Sequence, residues 1–325
     1  MNYPNFLKEH SNIGITAPSA GIVDVISFEK SLEKFKKNGW NIYETNNVRV
    51  PKDESSSSKE RAKQFMELEK EDRINAIICA TGGDFLTDML PYIDLDSINN
   101  KWVMGASDAT NLLYFITTAA DISTIYGSNA GSFDSKKLFK SQEITLDFLK
   151  GNIVSQNSYD YYEVNHNGRV DGNYNLEEKV EWKTINGPVN IKGRMIGGCI
   201  DCLKYLPGTK YDYTKEFIDR YQDDKIIWYF DIFSLTAEDL YLTLFQLKES
   251  GWFRNIGGVI VGRILFPNNY TSMTYEKALK KVFGNIPVIM DADIGHVAPK
   301  MTIINGSIVN IKADNGKGSI TTYLK

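Results

Sequence analysis

The sequence predicts an α/β protein whose first half is a parallel sheet and whose second half is rich in β-strands. Three observations carry that expectation. Up to about residue 151, short apolar runs alternate with stretches of helical spacing, the pattern of strands joined by crossover helices. From 152 to 187 the chain turns rich in Asn, Tyr, Gly and charge and loses its periodicity, which reads as a connecting segment with a loop of its own. From Pro188 the apolar runs return, with one clear helix among them. The expected divisions are therefore an N-terminal α/β domain over 1–151, a connection over 152–187 and a β-rich domain over 188–325.

Each element has a local reason. Residues 12–17 form an apolar run that stops at Pro18, a strand and then a turn. Phe28, Leu32 and Phe35 recur at helical spacing in 27–38, and Gly39 ends that helix. Residues 40–43 resume as a strand. The four serines 55–58 precede a helical stretch over 59–70 and read as a surface loop with a helix cap. Residues 76–80 form a buried strand with a tight exit at Thr81-Gly82-Gly83, and 102–105 form another that runs into Ser107. An apolar helix follows over 110–119. In the second half, strands are expected at 191–196, 226–230, 258–261, 288–290 and 301–304. Leu240, Leu244 and Leu247 mark the helix 236–250.

Composition narrows the class. Of 325 residues, 42% are hydrophobic and 24% charged, enough for one or two real cores. The net charge of −4 gives neither the basic excess of a nucleic-acid binder nor the acidic bias of a disordered chain. No stretch approaches the roughly 20 apolar residues of a membrane span, and residues 1–10 lack the apolar run of an export signal. The cysteines are Cys79, Cys199 and Cys202. An odd number without a signal favours a reducing compartment, so the cytoplasm is the expected location.

Ligands of parallel sheets gather at the carboxyl ends of the strands, where Gly82-Gly83 and Ser107 are expected. A serine between a strand and a helix presents its hydroxyl on a sharp turn, beside amides near the positive end of the helix. That makes Ser107 a candidate nucleophile, although Ser107 or Asp108 could equally cap the helix. A serine needs a base. Of the three histidines, His10 lies near the start, His166 in the polar connection, and His296 in a loop directly after a strand. His296 is the best placed. The base needs an orienting carboxylate, and Asp231 ends the apolar run 226–230, where a carboxylate is costly without a partner. Glu238 and Asp239 remain alternatives in a first helical turn, and Asp231 could instead be a cap. The amides of Gly83 and Asp108 are candidate oxyanion donors. No third glycine completes a dinucleotide fingerprint. Cys199 and Cys202 make a Cys-x-x-Cys, but no second cysteine pair completes a zinc site, so no metal is expected and the thiols read as structural.

Several stretches, taken in order, resemble the LD-carboxypeptidase family of serine peptidases. They are Ile15-Thr16-Ala17-Pro18-Ser19, Thr81-Gly82-Gly83 with Leu90-Pro91-Tyr92-Ile93-Asp94, and Gly105-Ala106-Ser107-Asp108-Ala109-Thr110. The second half adds Gly193-Arg194-Met195-Ile196-Gly197-Gly198-Cys199, the run from Trp228 to Asp231, residues 246–253, Gly262-Arg263 and Gly295-His296. The family includes muramoyl-tetrapeptide carboxypeptidases and microcin C self-immunity peptidases. The resemblance implies a nucleotide-binding-like N-terminal domain, a smaller β-rich C-terminal domain and a Ser-Glu-His triad, whose roles fall on Ser107, Asp231 and His296. It also implies no metal, no organic cofactor and a homodimer. Two positions depart from the family pattern: Asp231 stands where Glu is usual, and Cys199 where Asn is usual.

The expected activity is hydrolysis of a peptide or amide bond near the C-terminal end of a small substrate, either a cell-wall tetrapeptide or a peptidyl-nucleotide antibiotic. Trp182, in the aromatic-rich connection, is a candidate to stack on a nucleobase, with simple packing as the competing reading. Two other classes stay open. An esterase of the α/β-hydrolase type shares the order Ser, acid, His. A non-catalytic peptide-binding relative would suit the departures at Asp231 and Cys199.

Overall fold

The computed structural model describes residues 1–164 and 169–325. His166 lies outside the described residues. The chain divides into two compact units. The first comprises 1–153, 167–174 and 302–305, and the second 154–166, 175–301 and 306–325.

The first unit is built on a six-stranded sheet. Its order is Ile303–Ile304, Ile125–Tyr126, Trp102–Gly105, Ile74–Cys79, Asn12–Thr16 and Asn41–Glu44. Every neighbouring pair is parallel except the first. The central strands are apolar on both faces, with Ile13, Ile15, Ile77, Ile78, Val103 and Met104 all fully buried, as a parallel sheet covered on both sides requires. Helix Val25–Lys37 turns Phe28, Leu32 and Phe35 inward. Asp24 caps it by accepting from the Ser27 amide at 3.0 Å. The serine run ends as expected in a cap, with Ser57 accepting from the Glu60 amide at the start of helix Ser58–Lys70. Register sets Thr16 beside Cys79, and Met104 beside Ile78. The segments leaving these three strands therefore start from one edge of the sheet.

The second unit carries an eight-stranded sheet. Its centre is parallel and runs Val189–Cys199, Ile226–Asp231, Ile256–Gly262, Val288–Ala292. The hairpin Ile308–Asp314 and Lys317–Tyr323 continues one side, with Gln156–Asn157 beyond it, and Lys183–Ile185 pairs antiparallel on the other. Among the described residues, helices Ala237–Glu249 and Tyr275–Phe283 pair with this sheet's crossovers.

Three sequence expectations change here. The connection 152–187 is not structureless: it holds Gln156–Asn157, the hairpin Tyr161–Glu163 with Leu176–Lys179, and Lys183–Ile185. These strands are two to four residues long, too short to leave a period in the sequence. The run near 301–304, expected among the second half's strands, returns to the first unit's sheet and pairs with Ile125–Tyr126. An apolar run says that it is buried and not which sheet buries it. Helix Tyr275–Phe283 was not expected, because Leu279, Val282 and Phe283 give only two turns of signal.

Candidate active site

The first unit places the serine on a strained turn. Strand Trp102–Gly105 ends, and Ser107–Ala109 forms one tight turn that leads into helix Thr110–Ala119. Ser107 has φ +63°, a left-handed conformation that costs a residue with a side chain about 1–3 kcal/mol. The surroundings hold it there. The Ser107 amide donates to the Tyr126 hydroxyl at 3.3 Å, and the Ala106 amide to Asn129 Oδ1 at 2.9 Å. Gly82 lies against the serine: a β-carbon there would stand 2.9 Å from Ser107 Cβ and 3.2 Å from its Oγ. Gly83 packs on Ser19, where a β-carbon would come within 2.3 Å of the hydroxyl. The three segments leaving the sheet edge thus meet around the half-buried Ser107.

Asp108 sits beneath this turn with its carboxyl buried. Burial pushes its pKa up to about 6, against the pull of the Ser19 hydroxyl and the Leu86 amide. Its side chain is part of the turn's support, distinct from the backbone amide expected to face substrate.

The second unit brings the candidate acid and base together. Asp231 ends its strand fully buried, and His296 arrives from the loop after Val288–Ala292. Nδ1 of His296 lies 2.7 Å from Asp231 Oδ2, off the line of an ideal N–H···O bond. The His296 amide donates to the other carboxylate oxygen at 3.2 Å. One carboxylate therefore holds both the ring and its backbone. Gly295 makes the approach possible: it has φ +98°, and a β-carbon there would fall 2.0 Å from Asp231 Oδ1. The ring of Phe233 flanks the imidazole with centroids 4.9 Å apart. The loop after Asp231 is pinned by Asp201, whose carboxylate accepts from the amides of Phe233, Ser234 and Leu235 at 2.9, 2.9 and 3.0 Å.

Asp293 was quoted in the sequence only as a neighbour of His296, yet it anchors the histidine loop. It is fully buried and accepts from Arg263 at 2.6 Å, from the Trp182 indole at 2.9 Å and from the Tyr159 amide at 3.1 Å. The only signal for it was an acid in an otherwise apolar run. Its partners are 30, 111 and 134 positions away, beyond the reach of local pattern.

The other candidates fall elsewhere. Trp182 is 1% exposed, its indole committed to Asp293 and its ring against Gly318. It offers no free face to a nucleobase, and packing is its role. Glu238 accepts from the Tyr270 and Thr271 amides and so fixes a surface loop. His10 has a left-handed backbone and lies in an exposed turn. A cavity of about 880 Å³ in the second unit is walled by Tyr162, Lys183, Arg263, Tyr275, Asp291 and Val297. Of its lining cations, Lys183 and Arg263 are paired, with Asp291 at 2.8 Å and Asp293 at 2.6 Å. No described helix is long and apolar enough to cross a membrane.

Comparison with known proteins gives the family and the fold. The LD-carboxypeptidase N-terminal domain matches residues 13–127, and the LD-carboxypeptidase C-terminal domain matches residues 192–311. The microcin C7 self-immunity protein of Escherichia coli is 28% identical over 296 residues, covering 82% of this chain and 79% of that protein. A Bacillus subtilis protein named "Putative carboxypeptidase YocD" is 26% identical and covers 98% of both chains. The solved structure of the microcin C7 self-immunity protein with aspartyl sulfamoyl adenosine superposes with a TM-score of 0.81 at 22% identity, over 99% of this chain and 98% of that one. This last likeness establishes the shared two-domain α/β fold.

Proposed function

This chain belongs to the LD-carboxypeptidase family, and on that premise we propose that it is a serine carboxypeptidase that cleaves a peptide or amide bond near the C-terminal end of a small substrate. The observation that carries the reading is the pairing of His296 with the buried Asp231 at 2.7 Å. The shorter Asp, standing where Glu is usual, still reaches the imidazole because Gly295 lets the loop backbone close on it.

In the proposed reaction Ser107 attacks the carbonyl carbon, and His296 accepts the hydroxyl proton as the bond forms. Asp231 holds the ring in the required tautomer and offsets the charge of the imidazolium. The amides of Gly83 and Asp108 stabilise the oxyanion, each such donor contributing about 3–4 kcal/mol to the transition state. His296 then returns the proton to the leaving amine, and water, activated by the same imidazole, releases the acyl group. Two substrate classes fit: a cell-wall tetrapeptide with a terminal D-amino acid, and an amide-linked aminoacyl nucleotide of the kind bound by the structural relative. We place the enzyme in the cytoplasm as a homodimer, which light scattering on the purified protein tests.

The test of the reaction uses the protein and its Ser107→Ala variant. Each is incubated with a tetrapeptide ending in D-alanine and with an aminoacyl-nucleotide amide, and products are followed by mass spectrometry. Ser107-dependent release of D-alanine supports a role in cell-wall recycling, and Ser107-dependent release of nucleotide supports one in antibiotic immunity. Equal turnover by a well-folded Ser107→Ala protein would rule out this nucleophile.

A further inference from the structure

Three donors of different chemistry meet at the carboxyl edge of the second unit's sheet. Cys199 ends strand Val189–Cys199 and Asp231 ends strand Ile226–Asp231, and the parallel register sets these two residues side by side. His296 reaches the same point from its loop. One ligand atom from each — the thiol sulfur, a carboxylate oxygen and an imidazole nitrogen — lies within 4.8 Å of the other two. Cys199 and Asp231 are buried, while His296 keeps 17% of its side chain open to solvent. A second thiol adjoins them. Cys202 lies in the short helix Ile200–Leu203, half-buried, and the Cys199 thiol faces Asp201 Oδ2 at 3.8 Å.

We propose that Cys199, Asp231 and His296, with solvent in the fourth position, form a site for a soft divalent cation of the zinc class, and that the cation holds the enzyme inactive. Thiolate, imidazole and carboxylate are the donors zinc selects, with bonds of roughly 2.0–2.3 Å that set tetrahedral donors about 3.3–3.7 Å apart. The three donors lie within 4.8 Å of one another, somewhat wider than that spacing. Sulfur is the element that makes the set: the amide of the Asn usual in this family at the Cys199 position is a poor ligand for such ions. Binding is a plain exchange. The cation accepts a lone pair from each donor, the cysteine proton leaves to solvent, and nothing is oxidised. The inhibitory half of the proposal rests on the reading of His296 as base and Asp231 as its partner, since the cation takes both.

The test is a titration of the full-length, chelator-treated protein with cadmium, read by the ultraviolet thiolate-to-cadmium absorption and needing no substrate. One equivalent is expected to bind and to be displaced by zinc. Cys199→Ser should abolish the band, and His296→Gln should weaken binding at least tenfold, since loss even of a group that only supports a metal ligand costs about 10–100-fold. Circular dichroism confirms that both variants fold. Absence of stoichiometric uptake overturns the site. So does uptake that persists unchanged in both His296→Gln and Asp231→Asn, which would assign the metal to the two thiols alone. Because binding is read directly, failure of the hydrolase reading leaves this result standing. With a substrate found, zinc should suppress turnover and a chelator restore it. Turnover unaffected by saturating zinc overturns the inhibitory half.

Discussion

The serine turn and the histidine loop both leave the carboxyl ends of parallel strands, yet they fix their functional residue by opposite means. At the serine the strain falls on the functional residue itself. Ser107 takes φ +63°, and backbone amides at Ala106 and Ser107 are tied to Asn129 and Tyr126 to keep it there. At the histidine the unusual conformation is moved one residue back, to Gly295 at φ +98°, and His296 is held from outside by the buried carboxylate of Asp231. A nucleophile needs an exposed hydroxyl on a sharp turn, which backbone geometry supplies. A base needs one tautomer and one ring orientation, which only a side-chain partner supplies. The first device is local in sequence and the second is not.

The comparison can be broken at four points. Asp231→Asn removes the partner but keeps its shape, and should lower kcat by about 10⁴-fold with little change in KM, as expected when an amide selects the wrong tautomer. A small effect would mean that the loop, and not the carboxylate, orients the ring. Asp293→Ala leaves the buried Arg263 guanidinium without its 2.6 Å partner, and should cost about 3–5 kcal/mol of stability by denaturant titration. Loss of activity at unchanged stability would instead give Asp293 a direct part in the reaction.

Gly295→Ala should lower kcat by at least about 10²-fold, the cost of misplacing a catalytic group by about 1 Å. Its added carbon cannot coexist with Asp231 Oδ1 at 2.0 Å, and the crystal structure of the variant should show the imidazole displaced.

The fourth effect is one of pH. Asp108 has its pKa raised from 3.8 to about 6 by burial. For a raised acid the folded state binds the proton more tightly. The stability this contributes is fully present below about pH 4 and is lost as pH rises through about 6. A shift of this size corresponds to about 3 kcal/mol. Asp108→Asn should therefore flatten the stability profile between pH 4 and 7 in thermal or urea unfolding. A variant with the wild-type slope would show that another group titrates there.

Where the physics is local, the sequence was readable. The strand Trp102–Gly105 and helix Thr110–Ala119 have the expected bounds, because a continuous apolar run between turn residues has one solution. Ser107 lies just past strand Trp102–Gly105, Asp231 ends its strand and His296 lies in the loop after Val288–Ala292, the carboxyl-edge positions from which their proposed roles were read. Trp182 was left open between stacking and packing for the opposite reason. An aromatic residue in a polar stretch looks exposed, and only Asp293, 111 positions away, reveals that it is buried.

The sequence alone therefore determined the alternation of strands and helices, the parallel first sheet, the strand-rich second half and the family resemblance. All of these rest on spacing within a few residues, where backbone periodicity and turn chemistry act. Tertiary structure decided which sheet takes Ile303–Ile304, that Asp293 anchors the histidine loop through Arg263, Trp182 and Tyr159, and that Asp231 meets both His296 and Cys199. Those outcomes depend on side chains brought together by strand register and burial, and a buried carboxylate takes its partner from whichever segment packs against it, at any distance along the chain.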